Sequence, residues 1–142
     1  MTAEFSPGDG SAGLDEQETT LVFRAREKSA GLRTAAHLPQ QKRVSLLVTE
    51  GPMKGQSIPI TKAQVLLGRP QTDGQTAADI VINDPQVSRK HCVLEIHGLS
   101  ALLVDLDSVN GTFVNRRKIA SCELKTLSEF QIGATNLVLA II

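Results

Sequence analysis

Residues 92–114, with the sequence CVLEIHGLSALLVDLDSVNGTFV, contain three short apolar segments separated by turn residues. Residues 92–97 alternate apolar and polar side chains, which predicts a half-buried strand. Residues 102–104 are apolar and precede a turn at residues 107–111, where Asn110-Gly111 favours a hairpin with positive φ angles. Residues 112–114 then resume the apolar pattern. The whole stretch therefore predicts consecutive short strands rather than helices.

The same pattern of short apolar segments continues on both sides of this stretch. Further strand candidates recur at intervals of about ten residues and are bounded by Gly, Pro and Asn. They are residues 44–48, 57–60, 65–67, 80–82, 130–132 and 137–142. No window favours a helix of more than two turns, and the roughly 99 residues after residue 43 suffice for a two-sheet core. The sequence therefore predicts an all-β sandwich or barrel.

The composition argues against several classes of protein. Fifteen Lys and Arg balance fifteen Asp and Glu, and there are four Phe with no Trp or Tyr, so the core must be aliphatic and a nucleic-acid-binding surface is not expected. The longest apolar run, residues 137–142, is far shorter than the ~18 residues of a membrane helix. Residues 1–30 show no basic segment followed by an apolar run, as a signal peptide would. We therefore expect a cytoplasmic protein that binds neither nucleic acid nor membrane.

The two cysteines, Cys92 and Cys122, form no cluster with metal-ligand spacing. We therefore expect no metal and no other cofactor. We interpret both residues as buried thiols in a reducing compartment, with a disulfide as the alternative.

The neutral total charge hides a strong asymmetry near the N-terminus. Residues 1–23 contain five acids and no base, whereas residues 24–43 contain six bases and one acid, a net charge of 6 − 1 = +5. These 43 residues show little apolar periodicity apart from Leu21-Val22-Phe23, and residues 6–13 are rich in Gly and Ser. Such a composition buries too little apolar surface to offset the entropy of ordering. We therefore predict a disordered tail over residues 1–43 and one folded domain over residues 44–142.

Three predicted loops carry polar groups of one chemical kind. They are Gly68-Arg69 after a strand, Ser88-Arg89-Lys90-His91 before a strand, and Ser108 to Asn115 around the Asn110-Gly111 turn. Taken singly, each could be an ordinary turn or a solvated charge. Taken together, guanidinium, hydroxyl and amide groups are the donors that a phosphate requires, because the planar fork of Arg matches phosphate oxygens in pairs.

In order and spacing, these motifs resemble the signature of forkhead-associated domains, and the resemblance covers residues 44–142. It implies a β-sandwich of about eleven strands whose loops at one end bind phosphothreonine peptides. The motif residues are Gly68-Arg69, Ser88 with His91, and Asn110-Gly111-Thr112 with Asn115.

Matching position by position, the resemblance implies that Arg69 and Ser88 contact the phosphate and that Arg89 lies beside the phosphothreonine. Asn110 would hold the peptide backbone through its amide. Some family members carry Thr before Asn-Gly, where this chain has Val109, so that only the Val109 N–H could serve the phosphate. Somewhat weaker phosphate affinity is therefore expected.

The remaining motif residues would be architectural and fix the loops. They are Gly68, His91, Gly111, Thr112 and Asn115.

Residues 18–25, with the sequence ETTLVFRA, resemble the phosphorylated tail motif of small bacterial forkhead-associated regulators. That group includes the glycogen accumulation regulator and the 2-oxoglutarate dehydrogenase inhibitor. The resemblance implies that a Ser/Thr protein kinase phosphorylates Thr20 or Thr19. The domain would then bind its own tail as a monomer and release a metabolic enzyme such as 2-oxoglutarate dehydrogenase.

Other functions are weighed against this one. A hydrolase with Ser88 as nucleophile and His91 as base is disfavoured, because both lie in one short loop and no nucleophile elbow is present; no enzyme activity is expected. The domain could instead be a trans adaptor for phosphothreonine on a kinase, a secretion component or another partner, with the tail incidental. It could also be a scaffold that docks a partner without phosphate, but such a scaffold has no need of Arg69 with Ser88. The sequence identifies neither the kinase nor the target.

Overall fold

The computed structural model describes residues 35–71 and 77–142, which form two β-sheets packed face to face. These residues contain eleven strands. The strands are β1 Val44–Glu50, β2 Ser57–Pro59, β3 Gln64–Gly68, β4 Ile80–Val81, β5 Cys92–His97, β6 Ser100–Asp105, β7 Thr112–Val114, β8 Arg117–Ile119, β9 Ser121–Lys125, β10 Glu129–Ile132 and β11 Thr135–Ile141. The predicted all-β sandwich of about eleven strands is confirmed.

Each sheet contains strands that are distant in sequence. One sheet has six strands in the order β2-β1-β11-β10-β7-β8, and the other has five in the order β4-β3-β5-β6-β9. Strands β3 and β4 pair in parallel, whereas the other pairs are antiparallel. The five-stranded sheet carries the loops that the sequence motifs occupy, because those loops follow or precede β3, β5 and β6.

The core between the sheets is aliphatic, as the composition predicts. The alternate residues Leu46 on β1 and Leu137 and Leu139 on β11 point inward and are fully buried. Leu94 and Leu103 face them from the five-stranded sheet, where they are register partners on β5 and β6. Burying an aliphatic side chain of this size contributes about 1.5–3 kcal/mol, so these rows hold the sheets together.

Strand β5 differs from the half-buried strand that its alternation predicts. Val93, Glu95 and His97 point to the outer face of the sheet, yet they are only 4%, 0% and 8% exposed. Leu102 and Val104, on the same face of β6, are 2% and 4% exposed. The prediction of a half-buried strand is therefore wrong, because all six residues of β5, polar and apolar alike, are buried.

The two cysteines differ in their burial. Cys92 lies in the core and is fully buried, and burial raises the pKa of its thiol far above the ordinary range. Cys122 is only partly buried because its strand, β9, lies at the edge of the sheet. Both are free thiols. The prediction that both thiols are buried is therefore confirmed for Cys92 and wrong for Cys122.

The chain joins the fold before β1 begins. The His37 N–H donates to the carbonyl oxygen of Ile96 at 2.8 Å, and the Gly98 N–H donates to the carbonyl oxygen of His37 at 3.1 Å. These bonds form a parallel bridge between His37 and His97. Leu38 packs against the core from the same segment.

In the described residues, no helix has the length and apolar character needed to cross a membrane.

Candidate functional site

Three loops leave the five-stranded sheet at the same end. Leu67 on β3 is the register partner of Cys92 on β5, and Cys92 is the register partner of Asp105 on β6. Because β5 runs antiparallel to its two neighbours, the end of β3, the start of β5 and the end of β6 lie side by side. The loops carrying Arg69, Ser88 and Asn110 therefore emerge together.

Arg69 is held by the loop that precedes β5. Its backbone N–H donates to the carbonyl oxygen of Ser88 at 3.0 Å, and its side-chain Nε donates to the carbonyl oxygen of Val87 at 2.8 Å. A guanidinium bound only through Nε keeps the four N–H groups of its terminal nitrogens for other acceptors. Within residues 35–71 and 77–142, Arg69 forms no other side-chain hydrogen bond.

Gly68 allows this close approach. A Cβ atom added to Gly68 would overlap the carbonyl group of Arg89, with the Arg89 carbonyl carbon only 2.6 Å away. Real Cβ atoms do not approach backbone atoms so closely, so any larger residue would push β3 away from the β4–β5 loop. Gly68 thus allows the backbone at the end of β3 to lie against the backbone of the β4–β5 loop, next to Arg69.

His91 joins two of the loops from a fully buried position. Its Nδ1 accepts a hydrogen bond from the Ser88 N–H at 3.0 Å, so Nε2 carries the proton and donates to the carbonyl oxygen of Gly111 at 2.9 Å. Burial lowers the pKa of His91 below its ordinary value, although the Gly111 carbonyl and the carboxylates of Asp105 and Asp84 act in the opposite direction. A neutral imidazole therefore holds the loops that carry Ser88 and Asn110 against each other.

Ser88 and Val109 interact in a way that the sequence does not predict. The Val109 N–H donates to the Ser88 Oγ at 3.0 Å, while Val109 as a whole is 86% exposed. The Val109 N–H is therefore already engaged in this arrangement. Because the Ser88 hydroxyl accepts that bond, its own hydrogen is left to donate to another group.

Asn110 is exposed. Its side-chain Nδ2 donates to the carbonyl oxygen of Gln86 at 2.8 Å, which leaves its second amide hydrogen and its Oδ1 for a ligand. Arg89 is also exposed and follows Ser88 directly. The structure thus brings Arg69, Ser88, Arg89 and Asn110 to one end of the sheet.

Two carboxylates support these loops, one buried and one partly buried, and sequence analysis missed both. Asp84 is 1% exposed and accepts hydrogen bonds from the Thr135 hydroxyl at 2.7 Å and from the Ala134 and Gln86 N–H groups at 2.9 Å. Asp84 thereby ties the loop that holds Asn110 to the β10–β11 turn. The Asn83-Asp84-Pro85 sequence signals a turn, but nothing in it signals burial.

Asp105 organises the third loop. It accepts hydrogen bonds from the Ser108 hydroxyl at 2.5 Å and from the Thr112 hydroxyl at 2.7 Å. The Ser108 Oγ in turn accepts a bond from the Gly111 N–H at 3.0 Å. Gly111 has φ +90°, which fits a glycine in this turn. Asp105, Ser108 and Thr112 are thus hydrogen-bonded to one another within this loop.

Asn115 lies outside this cluster. Asn115 and Arg116 have φ of 52° and 65° and form the two-residue turn between β7 and β8. Two consecutive positive φ angles are the geometry of a type I′ hairpin, which Asn tolerates better than most residues. Asn115 lines a pocket of about 310 Å³ on the six-stranded sheet together with Phe113, Glu129 and Gln131. The described contacts link it to no loop of the site.

Cations and carboxylates are separated in this region. Arg69 and Arg89 are accessible at the loops, and the aliphatic stem of Lys118 lies beside Gly111, with Cε 3.0 Å from the position of an added Cβ. The carboxylates of Asp84 and Asp105 instead accept hydrogen bonds, Asp84 from the Thr135 hydroxyl and Asp105 from the Thr112 hydroxyl. The surface presented to a ligand is therefore rich in donors, which suits an anion. Thr19 and Thr20 lie outside the described residues.

This fold and loop arrangement define a class of domain. One similar solved structure is a forkhead-associated domain with phosphothreonine-dependent interactions; the TM-score is 0.58, the identity 26%, and the match covers 69% of this chain and 95% of that chain. The family model described as the inner membrane component of T3SS, cytoplasmic domain, matches residues 47–141. The described residues form a forkhead-associated domain.

Relatives extend the similarity to almost the whole chain. It is 37% identical over 141 residues to the oxoglutarate dehydrogenase inhibitor of Corynebacterium diphtheriae, which covers 92% of this chain and 94% of the relative. It is 33% identical over 148 residues to the glycogen accumulation regulator GarA of Mycolicibacterium smegmatis, which covers 92% and 89%. The chain belongs to this family of small forkhead-associated regulators.

Proposed function

We propose that the domain binds phosphothreonine peptides at the loop cluster of Arg69, Ser88, Arg89 and Asn110. The observation that carries the proposal is a pair of hydrogen bonds at the buried His91 ring, which accepts from the Ser88 N–H and donates to the Gly111 carbonyl oxygen. With the Arg69–Ser88 backbone bond, they fix loops from three strands before any ligand arrives. A preformed site avoids the cost of ordering loops during binding.

Arg69 supplies the charge for the phosphate. A phosphothreonine carries about −1.5 to −2 charges at neutral pH and three acceptor oxygens. The bond from Nε to the Val87 carbonyl fixes the plane of the Arg69 guanidinium, so its terminal N–H groups form a preorganised fork. Arg89 adds a second cation from the adjacent loop. This arrangement favours phosphate binding over catalysis, because it offers donors and charge but no activated nucleophile.

Ser88 adds a neutral donor. Its hydroxyl oxygen accepts the Val109 N–H at 3.0 Å, which orients the hydroxyl hydrogen away from that bond. We assign Val109 to orienting Ser88 rather than to contacting the phosphate itself. A threonine at this position would add a second hydroxyl, so this chain has one donor fewer and a correspondingly lower affinity.

A nuclear magnetic resonance titration tests the site. The full chain labelled with ¹⁵N is mixed with a peptide of residues 13–27 phosphorylated at Thr20, with the peptide phosphorylated at Thr19, and with the unphosphorylated peptide. The amide signals of Arg69, Ser88 and Asn110 should shift with a phosphorylated peptide only, while those of Gly98 and Leu99 at the other end of β5 stay in place. Equal shifts with all three peptides would show that binding does not require phosphate.

We propose further that the chain is a regulator with an N-terminal tail of residues 1–43 and a domain of residues 44–142. A Ser/Thr protein kinase would phosphorylate Thr20 or Thr19, and the domain would then bind its own tail. The relatives are named as an inhibitor of oxoglutarate dehydrogenase and a regulator of glycogen accumulation. By analogy, the unmodified domain would control a metabolic enzyme, and closure on the tail would release that enzyme.

The bridge at His37 shortens the length of chain that separates Thr20 from the folded domain. The chain is part of the fold at the His37–His97 bridge, so the distance to be spanned is counted from Thr20 to His37 rather than to Val44. A random chain of 17 residue steps has a root-mean-square span of roughly 23 Å and reaches about 58 Å when extended. The bridge lies at the far end of β5 from the loops, about 20 Å away at ~3.3 Å per residue. The tail can therefore reach the site.

Tethering makes closure favourable. A flexible link of this length gives an effective concentration on the order of 1 mM. If the same phosphopeptide bound in trans with a Kd near 1 μM, the closed form would be favoured by about 1,000-fold, or ~4 kcal/mol.

Phosphorylation of the full chain tests the switch. The phosphorylated wild type should no longer bind added phosphopeptide, and its loop amides should shift to the same extent at all protein concentrations. Phosphorylated Arg69→Ala should stay open, with loop signals like those of the unmodified variant. If the phosphorylated wild type binds added peptide as tightly as the unmodified chain does, the protein is a trans adaptor and not a self-closing switch.

A further inference from the structure

The pocket of about 310 Å³ lies on the outer face of the six-stranded sheet, between the β7–β8 turn, β10 and the start of β11. Phe113, Gln131 and Asn136 line it and are direct register partners, so they form one row across three strands. Glu129 lies on the same outer face as Gln131, because the intervening Phe130 is buried in the core. The pocket is therefore built by outward-facing side chains of adjacent strands and the neighbouring turn.

Two opposite charges line this pocket and do not pair with each other. Arg116 comes from the β7–β8 turn and Glu129 from β10, and both are exposed. Among residues 35–71 and 77–142, neither forms a salt bridge, and Glu129 accepts a single hydrogen bond, from the Thr49 hydroxyl at 3.3 Å. A guanidinium matches a carboxylate, and a carboxylate accepts hydrogen bonds from an ammonium group. The pocket therefore offers both a cation and an anion to one ligand.

Three side-chain amides and one aromatic ring complete the lining. Gln131 Nε2 donates to the carbonyl oxygen of Gly133 at 3.2 Å, which holds this side chain in place and leaves its Oε1 available. Within the part of the chain that the structure describes, the side-chain amides of Asn115 and Asn136 form no hydrogen bond. Phe113 is partly buried and supplies apolar surface. These groups suit a ligand that combines charges with polar and aliphatic parts.

The spacing of the strands limits the size of the ligand. Adjacent strands lie about 4.8 Å apart, so the row from Phe113 to Asn136 spans about 10 Å, and Glu129 lies about 7 Å from Gln131 along β10. The volume is at the lower end of the about 300–1,000 Å³ that is usual for small-molecule sites. This footprint suits a single amino acid better than a folded peptide segment.

We propose that this pocket binds a free amino acid with an uncharged polar side chain. The ligand carboxylate pairs with Arg116, and its ammonium group pairs with Glu129. Its polar side chain bonds the amides of Asn115 and Asn136, while its methylene groups pack on Phe113. A zwitterion is favoured over an ion of one sign, because an ion of one sign would leave one charge of the pocket without a partner. The proposal does not depend on the phosphothreonine site.

A titration of the ¹⁵N-labelled full chain with L-glutamine, and separately with L-serine, tests the proposal. The side-chain amide signals of Asn115 and Asn136 should shift and saturate with a Kd on the order of 1 mM, because exposed charge pairs each contribute little. N-acetyl-L-glutamine lacks the ammonium group, and L-glutaminamide lacks the carboxylate. Each of these two compounds should bind about 5-fold more weakly than L-glutamine does.

Two variants separate the charges from the fold. Arg116→Gly removes the guanidinium without adding strain, because Arg116 has a φ of 65°, which glycine adopts freely. Glu129→Gln removes the negative charge and keeps the shape of the side chain. Each variant should keep the dispersed amide spectrum of the wild type and bind L-glutamine about 5-fold more weakly. Arg117→Ala is the matched control, because Arg117 is exposed but does not line the pocket, and it should bind like the wild type.

Two results would overturn the proposal. The first is the absence of a saturable shift at the pocket with either amino acid at concentrations well above the expected Kd. The second is wild-type affinity for L-glutamine in both variants, because the two charges would then have no part in binding. Both results leave the phosphopeptide titration unaffected, so this proposal and the proposed function fail separately.

Discussion

His91 and Gly111, twenty residues apart in the chain, are joined by a hydrogen bond of 2.9 Å from the buried imidazole to the Gly111 carbonyl oxygen. The opposite ring nitrogen accepts the Ser88 N–H, so both bonds require the neutral imidazole with its proton on Nε2. This one side chain therefore links the integrity of the binding loops to the protonation of a single group.

Acidification should destabilise the domain through His91. Burial lowers its pKa below the ordinary 6.5, so the unfolded chain takes up the proton more readily than the folded chain. The stabilising contribution is fully present above about pH 6.5 and is lost as the pH falls from there toward the lowered folded-state pKa. Urea unfolding at several pH values should show this loss. His91→Asn should be less stable by about 1–3 kcal/mol at neutral pH and should show a weaker pH dependence. The same pH dependence in both proteins would contradict this assignment.

Gly68→Ala should destabilise the domain and weaken phosphopeptide binding together. The added methyl group would overlap the Arg89 carbonyl group, and overpacking of this kind costs about 1–3 kcal/mol. Gly55→Ala is the matched control, because an added Cβ there meets nothing within 4 Å and only its φ of +94° causes strain. The control should lose stability without losing affinity. Unfolding and binding measured on both variants check this; full affinity in Gly68→Ala would show that the close approach is unimportant.

Ser88→Ala should bind the phosphopeptide about 5- to 150-fold more weakly, corresponding to about 1–3 kcal/mol for a lost bond to a charged group. Its stability should change little, because water can reach the Val109 N–H, which belongs to an exposed residue. Ser100→Ala, at the opposite end of the sheet, should bind like the wild type. Fluorescence anisotropy with a labelled peptide measures all three proteins, and wild-type affinity in Ser88→Ala would remove Ser88 from the phosphate site.

Asn110→Ala should weaken binding by a factor that does not depend on pH. Its amide is assigned to the peptide backbone, whereas the phosphate loses its second charge below a pKa of about 6. The loss caused by Arg69→Ala should therefore shrink as the pH falls, and the loss caused by Asn110→Ala should stay constant. Binding measured on both sides of that pKa distinguishes them. Parallel changes in the two variants would place Asn110 on the phosphate.

The fold was predictable wherever strands bury several apolar side chains. Strands β5 and β7 have the predicted bounds, because turn residues flank short apolar runs. Strands β8 and β9 were missed because their sequences contain no run of adjacent apolar residues: residues 117–119 are Arg-Lys-Ile, and β9 has only Leu124 in the core. A sequence pattern indicates a strand only where it contains such apolar residues.

Sequence analysis predicted the residues that are proposed to contact the ligand, but it did not predict those that hold the loops in place. The spacing of Arg69, Ser88 and Asn110 pointed to one donor cluster. The supporting roles of the buried Asp84 and the partly buried Asp105 were not predicted, because an acid near the end of a strand is usually solvated and only the fold shows which groups donate to it. The hydrogen bond from the Val109 N–H to Ser88 was not predictable from the sequence either, because it depends on how two loops approach each other, and the two residues are 21 positions apart.

Calorimetric titration of the full chain with the Thr20-phosphorylated peptide tests the central claim most directly. Wild type should bind this peptide and not its unphosphorylated form. Arg69→Ala should lose at least about 100-fold in affinity while keeping the wild-type unfolding midpoint, since a charge-assisted pair of bonds is worth ~3 kcal/mol or more. Arg117→Ala, an exposed arginine on β8, serves as the matched control and should bind like the wild type. Equal affinity of Arg69→Ala and wild type for the phosphopeptide would contradict the assignment of this loop cluster as a phosphothreonine site.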